Sequence, residues 1–281
     1  MKAMKEEIEQ LKKEKNAVIL AHYYVPKEVQ EVADFVGDSY YLAKKARETE
    51  AEIIVFAGVS FMGESAKILN PTKKVLLPDA EADCAMAHMA SAKKVQEMRE
   101  KYEDLAVVCY INSTAALKTV SDVCVTSSNA VKIVKALPNK NIFFIPDENL
   151  GSYVAKQVPE KNILLNDGYC PVHKKITVET VRKAKADFIG STSDIIGYAE
   201  KSSKKEFLIG TEDGVFAELM KKCPEKSFYS VMQGQCCADM KKVTLEKVRD
   251  CLKEEKYEVE ITEDTREKAQ KALDKMLELA K

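Results

Sequence analysis

No run of apolar residues in this 281-residue chain approaches the roughly 18 needed to cross a bilayer. The N-terminal MKAMKEEIEQLKKEK has no apolar stretch of the kind a secretion signal needs; it reads as a charged amphipathic helix, and the cytoplasm is the expected compartment. Neither sign of charge is in excess, with 44 Lys+Arg against 45 Asp+Glu, so the basic footprint of a nucleic-acid binder is missing. Histidine is scarce: His22, His88 and His173 are all there is, and no H-E-x-x-H occurs. G-x-G-x-x-G and the P-loop are absent too, which disfavours a standard dinucleotide enzyme, a P-loop nucleotidase and a zincin. None of the eight cysteines forms a C-x-x-C pair, which sets aside zinc ribbons and thioredoxin-like sites. No Gly/Ser-rich or Pro-rich linker separates one part from another, so any units pack tightly.

What is present is alternation. Short apolar runs rich in β-branched residues predict strands at 17–21, 52–56, 74–77, 105–111, 122–125, 142–145, 162–165, 187–190, 206–210 and 227–231. Helical patterns lie between them at 39–49, 60–69, 91–102, 128–136, 212–222 and 262–280. Strands alternating with helices predict an α/β protein of βαβ units with short parallel sheets.

A repeat is also present. Asp38-Ser39-Tyr40-Tyr41-Leu42-Ala43, Ser127-Ser128-Asn129-Ala130-Val131 and Ser191-Thr192-Ser193-Asp194-Ile195-Ile196 each place a hydroxyl at an expected helix N-cap. A cysteine follows each: Ser39 to Cys84 is 45 positions, Ser127 to Cys170 is 43, and Thr192 to Cys237 is 45. Upstream, His22 precedes Ser39 by 17 positions and Tyr110 precedes Ser127 by 17. Both end an apolar strand, where open α/β sheets bind ligands. The repeat predicts three similar units, at 1–88, 89–173 and 174–281, the last also carrying a C-terminal helix, with their cysteines converging on a pseudo-threefold axis. The third unit is short. From Cys84 to Tyr110 the gap is 26, whereas from Cys170 to Lys175, which stands 17 before Thr192, it is 5. The difference of 21 positions corresponds to one strand and its polar tip.

In a reducing compartment these cysteines are thiols or metal ligands before they are disulfides. Cys84, Cys170 and Cys237 sit in polar, small-residue loops (DAEADCAMAH, NDGYCPVH, GQCCADM), whereas Cys109 and Cys124 lie inside strand patterns and read as core. Three thiolates far apart in sequence suit a [4Fe-4S] cluster with one iron left open, which can act as a Lewis acid on a substrate. Cys236 competes with Cys237, and the spacing selects Cys237. A structural zinc on the same cysteines with His88 or His173 is another reading. One hydroxyl at a helix start is ordinarily only a cap, but three at equivalent positions would surround an anionic substrate. His22 and Tyr24 in LAHYYV, with Tyr110 and Asn112 in VCYIN, supply acid–base or substrate-binding groups at the strand tips. His88 and His173, each a few residues past a candidate ligand, either orient it or are solvated.

On these residues the chain resembles the quinolinate synthase family, the A protein of NAD biosynthesis, from about residue 10 to residue 255. The resemblance rests on LAHYYVPKEVQEVADFVGDSYYLAKKA, FMGESAKILNPTKKVLLPD, CYINSTAALKTVSDVCVTSSNAVKIV, DENLGSYVAKQ, GYCPVH, ADFIGSTS, FLIGTE and CADMKK. It implies three αβα three-layer domains about a pseudo-threefold axis, one cluster cysteine from each, and condensation of iminoaspartate with dihydroxyacetone phosphate to quinolinate, with loss of phosphate and water. Carried over by position, Cys84, Cys170 and Cys237 are the cluster ligands. His22, Ser39, Tyr110, Asn112, Ser127 and Thr192 contact substrate, and Tyr24, with His22, serves catalysis. The partners implied are those small anions and, in passing, the enzyme that makes the imine, with no nucleic acid and no membrane. The family's His-Pro-Glu strand tip in the third domain has no counterpart between Cys170 and Asp187, so its substrate contact and acid–base carboxylate stay unassigned. Tyr23 stands where the family usually has Asn, and Ser193 where it often has Gly. Two other readings stay open: a diverged cluster-bearing lyase or dehydratase acting on another small anion, and a non-catalytic iron–sulfur sensor.

Overall fold

The computed structural model describes residues 1–281. Ten strands form three separate, wholly parallel sheets joined by helices. The first has the order β2-β1-β3-β4, made of β1 (Ala17–His22), β2 (Phe35–Gly37), β3 (Ile53–Ala57) and β4 (Lys74–Leu76). The second repeats it as β6-β5-β7-β8, made of β5 (Leu105–Tyr110), β6 (Val123–Val125), β7 (Asn141–Ile145) and β8 (Asn162–Leu165). Their central strands are near-continuous apolar runs, AVILAH, IIVFA, LAVVCY and NIFFI, buried along almost their whole length. Strands covered by helices on both faces need that pattern, not the alternation of a half-solvated sheet.

The third sheet has only β9 (Glu206–Ile209) and β10 (Ser227–Ser230). By order these correspond to the third and fourth strands of the other sheets. Residues 187–190, expected as a strand, form none. The physical reason lies in the topology. DFIG corresponds to DFVG and DVCV, the edge segments holding β2 and β6, and each of those pairs only with its central strand. The third unit has no central strand, so DFIG has no ladder to join. The side chains that strand would have covered are open: Ile189 is 72% exposed, and Leu208 and Tyr229, facing each other in register, are 60% and 51% exposed. A connected core of 60 buried residues joins the first two sheets to the C-terminal helices, whereas a separate cluster of seven, six around the third sheet and Tyr23 from the first unit, serves the third sheet.

The helices Leu245–Glu254 and Glu263–Leu279 follow the third sheet in sequence but pack elsewhere. The first lies on the Lys2–Glu14 helix and β3. The second buries Ala269, Ala272, Leu273 and Met276 against the Ala115–Thr119 helix, β6 and the Ser60–Leu69 helix. Between the two, Glu255 turns the chain at a left-handed φ of 51°, and residues 257–259 run antiparallel to β4 through Leu77 N to Tyr257 O and Val259 N to Val75 O. No helix is long and apolar enough to cross a membrane.

Candidate active site

The C-terminal ends of the parallel strands open onto one cavity of about 480 Å³. His22, Tyr24, Ser39, Cys84, Tyr110 and Asn112 line it, as do Ser127, Cys170, Thr192 and Cys237. All ten residues singled out in the sequence thus face the same space, though they span more than 200 positions of chain.

His22 is the last residue of β1 and is buried. Its Nδ1 accepts from Tyr24 N at 3.2 Å, which leaves the proton on Nε2. Burial lowers its pKa to about 3, with Lys241 and His173 adding to the effect, so the imidazole is neutral. The Tyr24 ring stands edge-on to it, with centroids 4.5 Å apart. The Tyr24 hydroxyl lies 2.7 Å from Thr192 Oγ1 and 3.1 Å from Thr211 Oγ1. Burial pushes the phenol up to about 12, so it keeps its proton as a donor. Tyr110, at the end of β5, is held well above the ordinary tyrosine value, chiefly by burial. Asn112 has a buried Oδ1 with no protein partner, an acceptor left for a ligand's donor.

The helix starts differ from expectation in one respect. Asp38, not Ser39, caps the Ser39–Glu48 helix by accepting from Tyr41 N. Asn129 is the N-cap of Ala130–Ala136, with Ser127 in the turn before it. Only the third start carries its hydroxyl cap, where Ser191 forms a capping box with Asp194. A short carboxylate reaches the orphan N–H groups as well as a hydroxyl does, so Asp38 takes that place. Ser39 and Thr192 are then the first helical residues and need not cap.

Each candidate cysteine lies a few residues past the last strand of its sheet, Cys84 after β4, Cys170 after β8 and Cys237 after β10. Cys84 N donates to Asp83 Oδ1 at 2.7 Å, and Asp83 in turn pairs with His88. Cys170 Sγ is 3.2 Å from His173 Nδ1, whose Nε2 is 3.0 Å from Thr211 Oγ1. Cys237 N donates to Glu212 Oε1 at 2.9 Å. Burial pushes the Cys84 thiol up to about 12, and Cys170 and Cys237 contribute; the other two thiols are also raised, burial being the main cause. The three thiols are half-buried and disfavour ionisation, a preference that a bound metal cation reverses. No three His, Cys, Asp or Glu side chains converge tightly enough to hold a single metal ion. Cys236 is exposed, while Cys109 and Cys124 are fully buried opposite each other in β5 and β6.

Among the cavity residues not singled out from the sequence as site groups are Asp38, Asp147, Thr211 and Glu212. Asp147 caps the Glu148–Gln157 helix, and its carboxyl is raised by burial. A signal existed for three of them, since Asp147, Thr211 and Glu212 directly follow the apolar runs of NIFFIPD and EFLIGTE, the strand-tip position at which parallel sheets place ligands. On the side of the third unit the cavity is lined by Lys175, Gly190 and Thr211.

The family model described as "NadA: Quinolinate synthetase A protein" matches residues 6–188 and 183–278. The chain belongs to the quinolinate synthase family. Quinolinate synthase of Caldicellulosiruptor bescii is 52% identical over 300 residues, covering 99% of both chains. That of Fusobacterium nucleatum is 52% identical over 298 residues, again covering 99% of both. Quinolinate synthase 2 of Methanosarcina acetivorans is 46% identical over 296 residues, covering 98% of this chain and 95% of its own. The chain is therefore an enzyme of NAD biosynthesis by family. The alignment with the C. bescii quinolinate synthase uses 300 positions against 281 residues here, so at least 19 are filled only in that relative. The family model matches in two segments that overlap at 183–188, running into DFIG, beside the place where the third sheet lacks its central strand.

Proposed function

We propose that the chain makes quinolinate from iminoaspartate and dihydroxyacetone phosphate, releasing phosphate and water, in the cavity shared by its three units (1–88, 89–173 and 174–281). What carries this reading is the gathering of one half-buried thiol from beyond each sheet beside two neutral acid–base groups, His22 and Tyr24, in one space. Cys84, Cys170 and Cys237 would hold a [4Fe-4S] cluster, which when bound supplies an open Lewis-acidic iron. The Tyr24 hydroxyl, fixed by Thr192 and Thr211, donates a proton to a leaving or enolising oxygen. His22 offers Nε2–H as a neutral donor that adds no charge of its own. Ser39, Ser127 and Thr192 bind carboxylate and phosphate oxygens, and Asn112 Oδ1 accepts from the imine nitrogen. The imine comes from an imine-forming enzyme in passing contact.

The deciding experiment is an anaerobic assay for quinolinate on protein with quantified iron and sulfide. The expected result is turnover at about four irons per chain, as one [4Fe-4S] cluster requires. A full cluster without quinolinate favours a second reading, a diverged lyase or dehydratase acting on another small anion. The observation behind it is the missing central strand of the third sheet and the open side it leaves. Protein that takes up no cluster under these conditions removes both.

A further inference from the structure

The third unit lacks the strand that, in the other two, anchors the sheet whose far edge leads to the cysteine loop. Something else must hold Cys237. We infer that the buried Glu212 positions Cys237 and the Tyr24 strand tip against one another, through an ion pair with the half-buried Lys241. This rests on the reading above, in which Cys237 is a ligand and Tyr24 is catalytic.

Glu212 follows β9 and is completely buried. A carboxylate removed from water costs several kcal/mol unless every lone pair is met. Here the partners are few and each is informative. Glu212 Oε1 accepts from Cys237 N and from Lys241 Nζ, both at 2.9 Å. Its Oε2 accepts from Gly214 N at 2.6 Å. Lys241 is one helical turn beyond Cys237, and its Nζ also donates to the carbonyl of Tyr24. A single carboxylate thus fixes the bend of its own turn, the backbone of Cys237 and the ammonium that grips the first unit's tip.

A second tie runs beside the first. Gln30 Nε2 donates to Gly214 O at 3.1 Å, and to Tyr23 O and Val25 O at 2.8 and 2.9 Å. A Cβ on Gly214 would fall 2.6 Å from Tyr23 O and 2.7 Å from Tyr24 Cα, so only glycine lets the turn press this closely. The backing of Cys84 is different: Asp83 is on the neighbouring residue and its side chain is 45% exposed. The backing of Cys170 is a histidine ring. Only Cys237, whose side chain packs on the large core, is backed by a carboxylate–ammonium pair that reaches another unit.

The test compares wild type with Glu212→Gln in cluster-free protein, alkylated with iodoacetamide and read by peptide mass spectrometry. In the variant the Cys237 rate should rise at least about tenfold, the scale of a lost charge-assisted hydrogen bond, while Cys84 and Cys170 keep theirs. After anaerobic reconstitution, the variant's cluster should show a changed electron paramagnetic resonance spectrum and a shifted midpoint potential. Because Glu212→Gln leaves Lys241 without its partner and could unfold the turn, the paired variant Glu212→Gln/Lys241→Met removes both charges together and should still speed alkylation at Cys237. Glu218→Gln, another buried glutamate of the third unit, is the control and should change nothing at Cys237. An unchanged Cys237 rate in the folded variants, or an equal rise at all three cysteines, overturns the inference. Wild-type protein that binds no cluster, with Cys237 alone freed in the variant, supports the positioning role and overturns the cluster reading.

Discussion

Tyr24 has two hydroxyl partners, Thr192 and Thr211, both contributed by the third unit. Tyr24→Phe should lower quinolinate formation by about 10²- to 10⁴-fold, the range for a lost proton donor, and cost only about 1 kcal/mol of stability. Parallel turnover and thermal-melt measurements separate the two effects. Both Cys236 and Cys237 border the cavity, but Cys237→Ser should abolish iron uptake and Cys236→Ser should not, since Cys236 is exposed while Cys237 is half-buried and held through its N–H by Glu212; iron and sulfide analysis reads this directly. His22 titrates near 3 when folded and at the ordinary 6.5 when unfolded. Between those values the unfolded chain binds a proton that the native chain does not, so stability rises with pH through that window and is lost as pH falls. His22→Asn should therefore shrink the difference between urea midpoints at pH about 5 and about 7.5. At this scale eight of the ten cavity residues were legible because a repeat in spacing carried them, and Tyr24 and Asn112 because they stand beside its His22 and Tyr110 at the strand tips. Glu212 and Thr211 were not, because their meaning depends on contacts with Cys237 and Tyr24 that only the folded chain makes.

Among the elements, strand legibility followed length and partnership. Runs such as 17–21 and 142–145 announced themselves, and the strands formed within a residue or so of those bounds. Strand β2 has three residues, too short for periodicity to show. Residues 187–190 have a sound local pattern and no partner, and local pattern cannot reveal that a partner is missing; the spacing deficit of 21 could, and it pointed to the same unit. Exposure gives this a measurable form. Ile189→Ser, at a position 72% exposed, should change stability by no more than about 0.5 kcal/mol. Leu273→Ala, at a fully buried position on the helix that closes over β6, should cost about 2–5 kcal/mol. Urea unfolding of the two variants tests the contrast.

For the molecule as a whole, cohesion is uneven. Sixty core residues join the first two units to the returning helices, and seven serve the third. Amide hydrogen exchange should therefore be fastest over about 176–230, through local opening that spares the larger core. Loading the cluster should slow exchange there more than in 17–76, because a ligand that binds only the closed form stabilises it by mass action. Equal slowing everywhere would argue against the third unit as the part that opens.

The helix Glu263–Leu279 is made after the third unit yet covers the first two. On the ribosome, β6 and the Ser60–Leu69 helix wait, with apolar surface bare, until residues 263–279 have been made, and a domain-by-domain order of folding is unavailable to the first two units. Cys84 and Cys170 emerge long before Cys237. With the proposed ligands, a nascent chain that stops short of Cys237 offers two of the three thiols and an unfinished core.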